Sequence, residues 1–203
     1  MDNAVGLVQA YLRVNGYFTV SEYPVLEATR GGGFRTVTDL DIIAFRFPGA
    51  GAHPAGWRTR RDGGLTLPDR ALGIDAAKAD MLVGEVKEGP AVLNAAATDP
   101  DVLRAALVRF GCSGPADPAP AVPTLLREGS ATLPGGHRIR LVAFGSTAED
   151  GVARACAVIR LGHVVAFLRR YLDEHWDLVR RSEMKDPALG VMLLTEKALR
   201  GAR

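Results

Sequence analysis

The stretch Asp80-Met81-Leu82-Val83-Gly84-Glu85-Val86-Lys87 decides how this chain is read. Met81 to Val86 is an apolar run of strand length that closes in charge. Residues two apart in a strand project from the same face, so Glu85 and Lys87 stand side by side with Val86 turned behind them. A second stretch, Thr38-Asp39-Leu40-Asp41-Ile42-Ile43-Ala44-Phe45, has the same character. From Asp41 on it is almost continuously apolar, as expected of a strand covered on both faces. If the strands are neighbours, Asp41, Glu85 and Lys87 make a pocket of two carboxylates and one amine. Carboxylates at strand ends suit a hard divalent cation with oxygen ligands. A lysine beside the cation can orient water or stabilise developing charge. None of these carboxylates has an evident structural task.

Outward from these strands the elements follow in order. Ala4 to Val14 has an apolar face at helical spacing, with Asn3 as the expected cap and Asn15-Gly16 as the stop. Tyr17 to Leu26 is aromatic and β-branched, and Pro24 marks it as an edge strand or a bulged one. Thr29-Arg30-Gly31-Gly32-Gly33 reads as a hairpin loop. The second strand runs from Val37 to Phe47, and the long polar interval 48–79 is expected to be functional or to carry a short helix. Asp99 caps a helix that runs to Phe110, with Pro100 in its first turn. A Pro-rich connector follows. Beyond it come a hairpin across Gly135-Gly136, a strand near Ala155–Arg160, a helix from Val164 to Arg181 and a last helix from about Pro187 to Leu199.

With these elements in place, Asp41 in TDLDIIAF and Glu85-Val86-Lys87 in LVGEVKEG resemble the motif of the PD-(D/E)xK nuclease superfamily. The resemblance covers Ala4 to about Phe110. The order helix, strand, strand, strand, helix, strand over residues 4–145 is similar to that of the restriction-endonuclease-like core. It implies an α/β fold of that kind, a central mixed sheet flanked by helices, here finished by a C-terminal helical segment. The chain is then one nuclease-like domain over 1–203, with the motif-bearing core in 1–111 and strands and helices in 124–203 that complete it. The resemblance further implies Mg²⁺ or Mn²⁺ held by Asp41, Glu85 and the main-chain carbonyl of Val86. Lys87 becomes the water-orienting or charge-stabilising residue, and the reaction is hydrolysis of phosphodiester bonds in nucleic acid, with DNA the expected partner. A homodimer is left open, because many enzymes of this type need a second site to cut both strands.

Other residues compete for these roles. Asp39 shares a face with Asp41 and could replace or assist it. Pro68-Asp69 is a literal Pro-Asp pair, though LTLPDRALG reads as turn and loop. Glu22 is a weaker additional ligand. Asn94 could contact a phosphate, but a turn or capping role suits it better. Glu-x-Lys is also a cheap pattern: Glu183-Met184-Lys185 repeats it after a helix, with no apolar strand before it, and reads as a solvated helix end. A cross-strand ion pair on a solvent-facing edge would leave the same trace as the Glu85–Lys87 pair.

Composition bounds the remaining possibilities. With 203 residues and 47% apolar content the chain can bury a real core. No apolar run is long enough to span a bilayer, so no membrane partner is expected. The start Met-Asp-Asn-Ala-Val has no signal-peptide character, which makes a cytoplasmic protein the expectation. Cys112 and Cys156 are too few for a disulfide scaffold, and the scattered histidines His53, His137, His163 and His175 do not have zinc-site spacing. A net charge of +2 neither demands nor excludes nucleic acid. Two rivals to the nuclease are therefore kept. One is a nucleic-acid-binding protein of the same fold that does no chemistry; the other is an interaction module that dimerises through the helix 164–181.

Overall fold

The strand that carries Glu85 and Lys87 lies inside the sheet, between two others. A computed structural model describes residues 2–29, 32–50, 68–109, 111, 116–148 and 155–201. In chain order it has α1 (Asn3–Val14), β1 (Phe18–Ala28), β2 (Phe34–Arg46), a 3₁₀ turn (Arg70–Leu72), β3 (Asp80–Pro90) and α2 (Pro100–Arg109). There follow α3 (Val122–Glu128), β4 (Ser130–Thr132), β5 (Arg138–Thr147), β6 (Ala157–Arg160), α4 (Leu161–Glu174), α5 (Trp176–Val179) and α6 (Pro187–Gly201). The sheet order is β1-β2-β3-β5-β4, and β6 pairs with the far end of β5. β1, β2 and β3 are antiparallel neighbours, whereas β3 and β5 run parallel, so the sheet is mixed.

Helices cover both faces, which explains the unbroken apolar runs. Leu82 and Val86 face one way with Ile42, Ala44, Val142 and Phe144, against Val8 and Leu12 of α1, Val164 and Leu168 of α4 and Leu193 of α6. Met81 and Val83 face the other way with Ile43, Ile139 and Leu141, against Leu103 and Leu107 of α2 and Leu125 of α3. The alternation is the period-2 pleat of a strand with both sides buried. The arrangement is an α/β fold with a mixed sheet flanked by helices.

Local chemistry sets the element boundaries. Asp2 caps α1, its carboxylate accepting from the Ala4 N–H at 2.7 Å. The cap is thus one residue earlier than Asn3, and the helix starts at that asparagine. Gly16, at φ +85°, ends it as expected. β1 is an edge strand with a register shift between Val25 and Leu26, next to Pro24. Asp99 caps α2, accepting from Asp101 and Val102 N–H at 2.8 and 3.2 Å.

Three expectations need correction. An unexpected helix, α3, starts at the end of the Pro-rich connector 112–123, with Pro123 in its first turn, and is ended by Gly129 at φ +69°. The long helix 164–181 is instead α4 and the short α5, separated at His175, whose Nδ1 lies 2.8 Å from the Tyr171 carbonyl oxygen. Asp80, taken as a carboxylate without structural work, forms a bidentate pair with Arg140: Nε to Oδ1 at 3.0 Å and Nη2 to Oδ2 at 2.5 Å. Tyr17 O–H also donates to Asp80, and Arg140 Nη1 reaches the Leu72 carbonyl at 2.6 Å. All three side chains are buried, so this network ties β3, β5 and the 3₁₀ turn at the end of β3 remote from Glu85. Most of the interval 48–79 lies outside the described residues; its C-terminal part carries the 3₁₀ turn.

Candidate active site

The ladder between β2 and β3 stops at the pair Ile42↔Gly84. One step further on, the same register sets Asp41 beside Glu85. There β2 leaves β3, and the Asp41 side chain fills the gap: Oδ2 accepts from the Val86 N–H at 2.8 Å. On β3 the parity that points Val83 toward α2, and Val86 away from it, carries Glu85 and Lys87 to the α2 side; on β2 the alternation breaks at Asp41, since Leu40 and Ile43 both pack on that side. Gly84 makes the close strand approach possible. A Cβ there would lie 2.5 Å from Ile42 Cγ2 and 3.2 Å from Phe144 Cε2.

Glu85 is only 1% exposed. Its Oε1 contacts Lys87 Nζ and accepts from Asn94 Nδ2, the latter at 2.7 Å. Its Oε2 is buried with no hydrogen-bond partner among the described residues. Burial raises the Glu85 pKa above the usual glutamate value; hydrogen bonds from Lys87 and Asn94 oppose this, and the Asp41 charge adds to it. The Lys87 side chain is 40% exposed. Burial pulls its pKa down, but the hydrogen bond and charge of Glu85, with Asp41 and Asp2 behind them, leave it raised, so the ammonium stays charged.

The structure treats the competing residues differently. Asp39 pairs across to Pro24 on the edge hairpin and is exposed. Asp69 is buried elsewhere: it accepts from Tyr11 O–H at 2.9 Å and from Ala71 N–H at 3.0 Å, and lies 2.5 Å from His163 Nε2. Its pKa is lowered, since the bonds from Ala71, His163 and Tyr11 outweigh burial, which acts the other way. The register Ser21↔Ile42 and Tyr23↔Leu40 sets Glu22 beside Asp41. Glu22, however, has φ +52°, and its Oε1 accepts from the Asp2 N–H at 3.2 Å, at the start of α1. Among the described residues no group of three or more His, Cys, Asp or Glu side chains is placed to hold a metal ion. The candidate is a two-carboxylate site with a lysine.

The surroundings add two features. Asn94 shapes the turn that leads to α2, its Oδ1 accepting from Ala97 N–H at 2.6 Å. An open groove of about 590 Å³ runs between Tyr23–Leu26 of β1 and Asp101, Arg104, Val108 and Arg109 of α2. Arg104 is paired with Asp117 at 3.0 Å. No helix among the described residues is long and apolar enough to cross a membrane.

Sequence reasoning placed Asp41, Glu85 and Lys87 on adjacent strands, and the structure brings these three together. It did not see that Asn94 holds Glu85, because a turn asparagine carries no local sign of a distant partner. Comparison of the chain with protein-family models, with curated proteins and with solved structures finds no match.

Proposed function

We propose that this chain is a metal-dependent nuclease with a restriction-endonuclease-like core, hydrolysing phosphodiester bonds in DNA. The observation that carries the reading is the Glu85 carboxylate, buried in the field of Asp41 with one oxygen unpartnered among the described residues. A buried carboxylate is expensive, and a second acid beside it makes it more so. A cation between them relieves both penalties, so the residues fit the divalent ion that this chemistry needs. Mg²⁺ or Mn²⁺ held by Asp41, Glu85 and the Val86 carbonyl would neutralise phosphate charge and make a bound water more acidic. Further support comes from the element order α1-β1-β2-β3-α2, followed after α3 and the short β4 by β5, which runs parallel to β3.

The chain's own residues then have distinct tasks. Asp41 has one oxygen committed to the Val86 N–H, which fixes its orientation. Lys87, charged and partly open to solvent, can donate N–H to the attacking water or to a phosphate oxygen. In hydrolysis the water oxygen bonds to phosphorus, the ester P–O bond breaks and the departing oxygen takes a proton. The groove lined by Tyr23–Leu26 of β1 and by α2 offers a path for a nucleic-acid strand, although Asp41, Glu85 and Lys87 are not among its lining residues.

Mn²⁺ titration by calorimetry on wild type, Glu85→Ala and Asp41→Ala tests the site, followed by Mg²⁺-dependent cleavage of duplex and single-stranded DNA. Binding that both substitutions remove supports the reading; wild type that binds no Mn²⁺ at millimolar metal, with or without DNA present, overturns it. The closed Glu85–Lys87 pair supports a second reading, a nucleic-acid-binding protein without chemistry. That protein would bind DNA in a salt-dependent way, indifferent to Mg²⁺ and to Glu85→Ala.

A further inference from the structure

Asn94 works in two directions at once. Its Nδ2 donates to Glu85 Oε1 at 2.7 Å, and its Oδ1 accepts from the Ala97 N–H at 2.6 Å. Its main-chain carbonyl also accepts from Thr98 Oγ1 at 3.2 Å. These partners assign the amide without ambiguity. Flipped, it would set an oxygen against a carboxylate and an N–H against an N–H. A residue that served only to shape the turn would need the oxygen alone; the amide nitrogen is directed into the site.

Among the described residues, the other side chain bonded to the Glu85 carboxylate is Lys87, which is flexible, 40% exposed and can follow the carboxylate through a rotation. With Asn94 and Lys87 both on Oε1, the buried Oε2 is the oxygen left for a ligand. We infer that Asn94 is a positioning residue: it fixes the Glu85 carboxylate so that Oε2 meets the divalent cation, and it anchors that orientation to the turn that starts α2. The inference rests on the reading of Asp41 and Glu85 as a metal site. Partners of this kind, one bond removed from the ion, govern metal affinity in other proteins.

The test separates the amide nitrogen from the turn. Asn94→Ser keeps a side-chain oxygen able to serve Ala97, as serine does at helix caps, but is too short to reach Glu85. Asn94→Ala loses both bonds. Mn²⁺ calorimetry and thermal unfolding are measured on the full chain for both variants and wild type. Both variants are expected to weaken Mn²⁺ binding by about 10- to 100-fold, the range for such partners. Tm should fall for both variants, and further for Asn94→Ala, which loses the Ala97 bond as well as the Glu85 bond. In a cleavage assay the Asn94→Ser defect should disappear at excess Mn²⁺, whereas the Glu85→Ala defect should not. Wild-type Mn²⁺ affinity in Asn94→Ser overturns the inference and leaves the metal site standing, with Asn94 serving the turn alone. A wild-type chain that binds no Mn²⁺ overturns both.

Discussion

Glu85-Val86-Lys87 and Glu183-Met184-Lys185 have the same spacing and the same charges, and both glutamates contact their lysines. The fold puts them in opposite settings. Glu183 and Lys185 lie between α5 and α6 with side chains 81% and 82% exposed, 3.0 Å apart. Glu85 is 1% exposed in the middle of an interior strand. In water such a pair gains little and loses little. In the sheet the glutamate has given up its hydration, and one oxygen has found no replacement among the described residues. The tripeptide therefore says nothing by itself; the strand that carries it decides whether its charges are hydrated or buried. The first way to break this comparison is catalytic. Glu85→Ala or Lys87→Ala should lower Mg²⁺-dependent DNA cleavage by about 10²- to 10⁴-fold, the range for a positioned acid, base or cation. Glu183→Ala and Lys185→Ala should leave the rate unchanged. Equal losses at both copies would sink the distinction.

The next effect is on stability, and it tests the strand that holds the first copy. Gly84→Ala brings a Cβ to 2.5 Å from Ile42 Cγ2, on a face packed with Phe144. Overpacking of this kind destabilises by about 1–3 kcal/mol. Chemical denaturation of Gly84→Ala should show that loss, and a midpoint equal to wild type would mean that β2 and β3 are not held so closely. Beside the second copy, Met184→Ala trims a partly buried side chain at the margin of the core and should destabilise less than Gly84→Ala.

The sheet was readable because its determinants are local. The run Met81–Val86, the proline in β1 and the Asn-Gly stop after α1 each announce themselves within a few residues. So did the site's skeleton, since the two-residue period of a strand needs no partner to be known. What could not be read depends on distance. Arg140 lies sixty positions from Asp80, and no pattern around either residue joins them. Asp69 looked like a candidate ligand in a loop, yet Tyr11 and His163 claim it from opposite ends of the chain. The break at His175 has no glycine or proline to mark it, and the proline-rich composition before α3 hid a short helix that uses proline in its first turn.

A smaller effect follows from the raised pKa of Glu85. The sign is opposite to that of most carboxylates, which are held below their usual value. Here the folded state binds the proton more tightly than the unfolded chain does, so stability falls as pH rises from the usual glutamate value through the raised folded one. Glu85→Gln removes that dependence. Denaturation midpoints for Glu85→Gln and wild type should therefore separate as pH rises from acid to neutral, with the variant the more stable by about 1 kcal/mol, the scale of one buried polar group. A parallel pair of pH profiles would mean that Lys87 and Asn94 already offset the buried charge.

The smallest effect is the other half of the same comparison. At the exposed copy, a double-mutant cycle on Glu183→Ala and Lys185→Ala should give a coupling under about 0.5 kcal/mol, since two hydrated side chains lose rotamer freedom for a screened contact. Added salt should erase what remains, because both charges sit in water. The same cycle on Glu85 and Lys87 should resist salt, because only the lysine end of that pair reaches solvent. It should also depend on Mn²⁺: a cation that draws on the Glu85 charge would loosen its tie to Lys87, so the measured coupling should shrink with metal. Coupling at Glu85–Lys87 that is insensitive to Mn²⁺ would leave that pair an ion pair like its exposed counterpart, distinguished only by burial.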